Sequence, residues 1–423
     1  MQTGKLYYAA GNGLLDRRNF LRGGLLAGGA VLSAPVLAGA AEPRQSWMQS
    51  PGLPLSGTGD RSPQVQGLQR YAMSIQPGTL GSGASRTPLE HLRGTITPAD
   101  LHFERHHSGI PEIDPAQHSL TISGKVQRTL RFSMEDLLRY PQVTRQLFLE
   151  CSGNSAVQLQ PDAVQRSAGE LHGLVSGSEW VGVPVSVLLD EAGLAADLDL
   201  DNSWVVAEGA DAARMNRSIP LRKMLDDALL ATYQNGEPLR PSQGYPLRLL
   251  LPGYEGNTSI KWLHRLEVSN QPAMSRQETS KYTDLYSDGR AEMFTFDMGV
   301  KSLITAPSPG SQMGQPGIYE VTGLAWSGTG LVKGVEVSAD GGQSWAQAEL
   351  MAPVLDKALT RFRIAWYWRG QPATLISRAR DQRGEQPTRS QLLKERGTRF
   401  FYHYNAQQPW RVDQQGQLHN VHL

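Results

Sequence analysis

Cysteine occurs once in these 423 residues, at Cys151, inside Phe148-Leu-Glu-Cys-Ser-Gly-Asn154. One thiol cannot close an internal disulfide, so it is either a small buried hydrophobe or a group with chemistry of its own. It follows a strand-like run, Gln146 to Leu149, and precedes Ser152, Gly153 and Asn154, residues that let a backbone turn sharply. That spacing predicts a sulfur in the loop after a strand, where ligands are usually held. Phe103-Glu-Arg-His-His107 adds Arg105, whose planar fork suits an oxyanion or a phosphate; a solvated basic loop is the alternative. Zinc on His102, His106 and His107 is a poor match, because adjacent histidines rarely share one metal and no acid or cysteine spacing completes the set. Arg248 and Lys261 flank an apolar run and a Gly-rich loop, a pair that could hold a phosphate through both charges and free backbone N–H groups. Neither nucleotide-loop pattern, G-x-x-x-x-G-K-[ST] or G-x-G-x-x-G, is present. Tyr282 lies in a polar segment and is unremarkable alone.

The elements that must position these residues change texture along the chain. Ser133 with Asp136 reads as a capping box for a helix from Met134 to Tyr140, and further helices are predicted at Val185 to Glu191 and after Pro220. Strand-like runs lie at Ser119 to Ile122, Ser203 to Ala207, Leu247 to Leu251 and Leu263 to Val268. Helices and strands mix without regular alternation, which predicts α+β. After about Lys301 there are short strands only: Gly317 to Trp326, Val332 to Ser338, Trp345 to Leu350, Arg361 to Trp368 and Ala373 to Arg380, with Asp340-Gly-Gly342 as a hairpin turn. Phe362, Ile364, Trp366 and Trp368 alternate to give one apolar face, and the whole suggests a β-sandwich of immunoglobulin type that supports or assembles rather than reacts.

At the start, Asp16-Arg-Arg-Asn-Phe-Leu-Arg22 and the apolar, small-residue run from Gly23 to Ala41 resemble a twin-arginine export signal ending near Ala38-Gly-Ala40 or Ala41. A membrane anchor competes, but Pro35 and several glycines interrupt a run already short for a span. The expectation is a periplasmic protein exported already folded around a cofactor. Residues 42–86 are rich in Pro, Gly, Ser and Gln and read as an extended lead-in. The balance of 41 Lys and Arg against 40 Asp and Glu, without a basic block, argues against nucleic acid as a partner. No second apolar run is long enough to span a membrane, so none is expected in the mature form.

Cys-Ser-Gly-Asn at 151–154, Phe-Glu-Arg-His-His at 103–107 and Pro-Leu-Arg...Gly-Asn-Thr-Ser-Ile-Lys-Trp between 246 and 262 together resemble the sulfite oxidase family of molybdenum enzymes. Leu101-His-Phe, Ile110-Pro-Glu-Ile-Asp114, His172-Gly-Leu-Val-Ser176, Glu179-Trp180, Tyr404-Asn405 and the closing Asn420-Val-His-Leu423 are similar, within that family, to the catalytic subunits of sulfane dehydrogenases.

The resemblance implies residues 1–41 as signal, 42–86 as lead-in, 87–298 as a molybdopterin-binding catalytic domain and 299–423 as an immunoglobulin-like dimerisation domain. It implies one molybdenum-molybdopterin per chain, with Cys151 as the thiolate ligand to the metal. Arg105 would bind the anionic substrate and Tyr282 would be its hydrogen-bonding companion, 282 − 261 = 21 positions past the Lys of Lys-Trp. Cofactor contacts would fall on His107, Asp211, Arg248, Ser259, Ile260 and Lys261, with Arg and Lys spaced 261 − 248 = 13 apart. Two positions depart from the family pattern: Ser155 and Ala156 stand where sulfite oxidases carry arginines, and Gln243 where a cofactor-binding His is expected. The implied reaction is oxidation of sulfane sulfur on a carrier protein, or of sulfite. No Cys-x-x-Cys-His is present, so the electrons would pass to a separate c-type cytochrome subunit. A sulfite dehydrogenase acting on free sulfite is the nearest alternative, and a secreted binding protein with an idle Cys151 the remoter one.

Overall fold

A computed structural model describes residues 7–16, scattered positions between 45 and 65, residues 68–74 and residues 80–423. Most of the predicted export signal therefore lies outside the described residues, as does much of the lead-in.

The first half is built on one mixed and one antiparallel sheet with short helices between them. In one, Leu130–Ser133, Ser119–Gly124, Leu263–Ser269, Trp204–Gly209 and Asn216–Pro220 lie side by side, with Leu263–Ser269 parallel to Ser119–Gly124 and every other pair antiparallel. In the other, Val143–Glu150 pairs with Val175–Pro184, which pairs with Leu229–Gln234, and Arg248–Leu250 adds to that last strand. Leu120, Ile122, Val205, Ala207, Leu249 and Leu266 alternate into one core, as period-2 patterning requires. The capping box at Ser133 and Asp136 forms as predicted, on a helix that stops at Leu138. Sheet dominates this α+β half, since among the described residues no helix in it exceeds the eight residues of Val185–Ala192.

The lead-in is not featureless where it is described. Tyr71–Ser74, Gly83–Arg86 and Glu104–His106 form a small antiparallel sheet. These strands escaped the sequence reading because Tyr-Ala-Met-Ser and Gly-Ala-Ser-Arg carry no apolar alternation; the register to Glu104–His106 holds them instead.

The second half is two antiparallel sheets around one core. Lys301–Ala306, Gly317–Trp326, Thr360–Trp368 and Glu349–Leu350 make the first; Ala346–Gln347, Gly334–Ser338, Ala373–Arg380, Pro409–Val412 and Leu418–Asn420 make the second. Asp340-Gly-Gly342 forms the expected turn, with φ of 75° and 91° at Gly341 and Gly342, where a side chain would be strained. Phe362, Trp366 and Trp368 face the core as predicted. The opposite face of that strand is also covered: Arg361 is 4% exposed and donates through Nε to the Gly94 carbonyl of the first half, at 2.8 Å.

The two halves are joined through a buried ion pair. Glu150, the residue before Cys151, accepts from Lys301 Nζ at 3.0 Å, Trp326 Nε1 at 2.7 Å and Asn154 Nδ2 at 2.9 Å, and both charged residues are 1% exposed. Burial draws the Lys301 ammonium down in pKa and Glu150 draws it back up. Removing one member leaves an uncompensated buried charge, so Lys301→Met is expected to lower the unfolding free energy by about 3–5 kcal/mol. Denaturant titration of the purified protein measures this, and a loss under about 1 kcal/mol would mean the pair behaves like an exposed one.

Candidate active site

Cys151 closes the Val143–Glu150 strand. Its N–H donates to the Leu174 carbonyl at 2.9 Å, and its own carbonyl accepts from Asn154 N at 2.9 Å, which turns the chain back on itself. Asn154, 1% exposed, locks that turn through Glu150 Oε1 and through Leu174 N, which donates to its Oδ1 at 3.1 Å. Gly256 lies against the Glu150 carbonyl, where an added Cβ would come within 2.6 Å, so only glycine lets the loop after Glu255 pack against the backbone of this turn. The Cys151 sulfur thus opens into a cavity while protein surrounds it elsewhere. Burial pushes the thiol above its ordinary pKa, and the Gly153 amide and the Arg105 charge oppose that rise.

The cavity has a volume of about 80 Å³. The structure brings all nine sequence-predicted residues to it: Arg105, His107, Cys151, Asp211, Arg248, Ser259, Ile260, Lys261 and Tyr282. Arg248 and Lys261 face each other across an antiparallel bridge, which explains why both charges of the flanked loop meet in one place. Arg248 donates to the carbonyls of Gln243 (3.0 Å) and Ser259 (3.2 Å) and to Gln243 Oε1 (3.2 Å), while its buried Nε has no partner. Burial pulls its pKa down to about 9. Lys261 Nζ donates to the carbonyls of Arg105 (3.1 Å) and Ser242 (3.3 Å) and to His106 Nδ1 (2.8 Å), and burial beside Arg248 draws its pKa well below the usual lysine range. Among the described residues, none of Arg105, Arg248 and Lys261 has a carboxylate within ion-pair distance. Asp211 lines the same wall and holds the Met215 amide through Oδ1.

The histidines are neutral side chains here. His106 accepts at Nδ1 and meets Glu104 through Nε2 at 3.1 Å; burial, then Lys261, brings its pKa to about 3. His107 falls to about 4 by burial and the Arg105 charge, and its Nε2 lies 3.2 Å from Tyr282 Oη. Burial raises the Tyr282 phenol, so its proton stays available to donate. Tyr282 sits at φ 43°, wedged between Tyr402 and the Arg217 guanidinium, 5.0 and 5.1 Å from its ring centroid. His102 lies behind Phe103 with its Nδ1 3.0 Å from the Phe103 carbonyl, so the three histidines do not converge. Among the described residues no three His, Cys, Asp or Glu side chains cluster as a metal site.

A second, outer cavity of about 670 Å³ shares Arg105, His107, Cys151 and Tyr282 with the inner one. Its walls include Arg86, Tyr402 and the exposed Phe400. Sequence reasoning missed these. Arg86 sits in the lead-in, and Tyr402 gave no signal beyond aromatic clustering in Phe400-Phe-Tyr402. Gln243 occupies the departed His position with its amide donating to the Phe103 carbonyl at 2.9 Å and its oxygen aimed at Arg248. It lines the wall and orients the neighbouring cation.

Residues 107–277 match the family described as oxidoreductase molybdopterin binding domain, and residues 292–388 the Mo-co oxidoreductase dimerisation domain. The solved sulfane dehydrogenase SoxCD from Paracoccus pantotrophus superposes with a TM-score of 0.85 at 41% identity, covering 90% of this chain and 97% of that one. The chain belongs to the sulfite oxidase family of molybdopterin oxidoreductases. Sulfite oxidase of Gallus gallus is 33% identical over 64% of this chain and 61% of its own length. A nitrate reductase [NADH] of Phaseolus vulgaris is 31% identical over 67% of this chain and 35% of its own. The chain thus spans about three fifths or less of these curated relatives.

The family's cofactor is molybdenum-molybdopterin, and the residues present fit it. Its phosphate needs fixed cations: Arg248 offers an unpartnered buried Nε, and Lys261 an ammonium held only by neutral acceptors. Glycine at 244 lets these two cations sit side by side, since a Cβ there would crowd Arg248 Cβ at 3.0 Å and Lys261 Cβ at 3.1 Å. Arg248→Ala should therefore lower bound pterin at least tenfold in purified protein, as expected for losing a charge-assisted contact in a dry site. Fluorescence of the oxidised, released pterin measures it. In cofactor-free protein, Cys151 should alkylate slowly until the pH passes the ordinary thiol range, and at the free-cysteine rate once unfolded; equal rates in both states would contradict a buried thiol.

Proposed function

We propose that this chain oxidises reduced sulfur, with sulfane sulfur carried on a partner protein as substrate and a c-type cytochrome subunit as electron acceptor. The observation that carries this reading is the meeting of the two cavities at Arg105, His107, Cys151 and Tyr282. In it, Cys151 is the thiolate that holds the metal; His107, Asp211, Arg248, Ser259, Ile260 and Lys261 hold the pterin. Molybdenum-molybdopterin, when bound, supplies oxygen-atom transfer and exchange of electrons in pairs. The protein's own part is electrostatic. Arg105 holds the anionic group, and Tyr282, positioned by His107 and still protonated, donates a hydrogen bond to oxygen as charge develops. Each oxygen added comes from water, with release of two protons and two electrons.

The 41% identity to SoxCD across nearly that whole chain favours sulfane sulfur, and so does an outer cavity far larger than a sulfite ion requires. Free sulfite is the second reading, favoured by the likeness to sulfite oxidases. We further propose the domain limits 87–298 and 299–423, an immunoglobulin-type pairing of the second half's sheets, a homodimer through that half, and a periplasmic location reached by the twin-arginine route.

One molybdenum per chain is the expected content of protein exported from a host that makes the cofactor, with most of it lost in Cys151→Ser; wild-type protein without molybdenum would refute the reading. Arg105→Gln should raise KM for the anion, and Tyr282→Phe should lower kcat/KM by about 10–100-fold, the worth of one hydrogen bond to a charged oxygen. Assaying sulfite against carrier-bound sulfane with ferricytochrome c decides the substrate: faster turnover of free sulfite would replace the first reading by the second.

A further inference from the structure

Tyr7–Asp16, the segment that ends at the twin arginines, is seated on the second half of the protein as a β-hairpin. Ala9 N donates to the Leu14 carbonyl at 2.8 Å and Asp16 N to the Tyr7 carbonyl at 3.1 Å. The turn passes through Asn12 and Gly13 at φ 52° and 93°. The returning arm extends the Lys301–Leu350 sheet as an edge strand on Thr360–Trp368: Leu15 N donates to the Ala365 carbonyl at 3.0 Å, and Tyr367 N to the Gly13 carbonyl at 2.8 Å.

The fit is specific. Leu14 is 0% and Leu15 2% exposed, and Leu14 belongs to the core shared by the two sheets. A Cβ at position 13 would stand 2.1 Å from the Tyr367 carbonyl, so only glycine lets the strands approach. The fully buried Trp366 donates its indole N–H to the Asn12 carbonyl at 2.7 Å. Asn12 Nδ2 reaches the Ala339 carbonyl at 2.7 Å, and Gly11 N reaches Ser344 Oγ at 2.6 Å, so one hairpin bridges both sheets. Without it, Trp366 loses its acceptor, Ala365 and Tyr367 lose strand bonds, and an apolar strip opens at a sheet edge.

We infer that Tyr7–Asp16 is a docking strand for the folded dimerisation domain, and that it ties the neighbouring export signal to that domain until the signal is removed. The partners in this contact are more than 300 residues apart (Trp366 − Leu14 = 352), so the strand has no seat until Thr360–Trp368 has found its sheet. It makes the start of the chain report the folding of its far end. This consequence for export rests on the twin-arginine reading proposed above; the docking itself does not.

The test uses the full-length, cofactor-loaded precursor and hydrogen exchange of peptides covering Thr360–Trp368. Leu14→Asp should speed exchange of the Tyr367 amide by at least about tenfold, the loss expected when a buried leucine and its strand bonds are given up. Chain starting after Ala41 should show the same fast exchange, and a synthetic peptide of residues 7–16 should slow it again, whereas the peptide carrying Leu14→Asp should not. Exchange unchanged by Leu14→Asp, or no effect of the wild-type peptide, would overturn the docking. Arg17→Lys with Arg18→Lys separates the two claims: continued export of that variant would remove the twin-arginine reading and its consequence while leaving the exchange result standing.

Discussion

Three cations facing one sheltered cavity, Arg105, Arg248 and Lys261, without a carboxylate partner among the described residues, are the constraint around which the rest is arranged. Charges of one sign in a medium of low effective permittivity repel strongly, and each has also lost water. The fold meets this with neutral acceptors, giving Arg248 the carbonyls of Gln243 and Ser259, and Lys261 those of Arg105 and Ser242. That is enough to orient the cations and too little to neutralise them. A phosphate-bearing cofactor held by Arg248 and Lys261 would offset two of these charges, and loading and stability would then be linked by mass action: whatever binds the folded site and not the unfolded chain stabilises the fold.

The second half holds the cysteine loop as firmly as the first does. Lys301, besides its pairing with Glu150, donates to Ser155 Oγ at 2.8 Å, and Ser155 in turn meets His172 Nδ1 at 2.7 Å. His403 N donates to the Ser152 carbonyl at 2.7 Å. Both flanks of the Cys151 turn are therefore pinned by residues some 150 and 250 positions away (301 − 151 = 150; 403 − 152 = 251). The sequence led us to expect a second half that supports or assembles rather than reacts. Its support turns out to be at the thiol itself, and Ser155, read as a lost arginine, is where a buried cation from the other half enters.

How much was legible follows from how far each signal reaches along the chain. Strands such as Gly317–Trp326 and Ala373–Arg380, and the capping box at Ser133, depend on neighbours within a few residues and were read to the residue. The cavity's main residues were legible because contiguous motifs carry them, Glu104 to His107 on and just past one strand and Ser259 to Lys261 after a loop. Arg86, Tyr402 and Lys301 were not, since each arrives from a distant element through tertiary register that no local pattern encodes. The edge-strand hairpin at Tyr7–Asp16 was hidden for the same reason, since its seat, Thr360–Trp368, lies some 350 positions on.

The balance of titrating and fixed charge says how such a site meets pH. His106 and His107 are held to about 3 and 4, below the ordinary histidine value, so the folded protein carries fewer protons there than the unfolded chain once the pH drops below the unfolded value near 6.5. Acid therefore costs stability, progressively, down through that window. Above it neither imidazole changes charge. Tyr282 keeps its proton across the same range because burial raises its phenol. Lys261 is the group whose charge can move: burial beside Arg248 draws its pKa well below the usual lysine range, so the hold of this wall on an anion weakens as the pH rises past that lowered value.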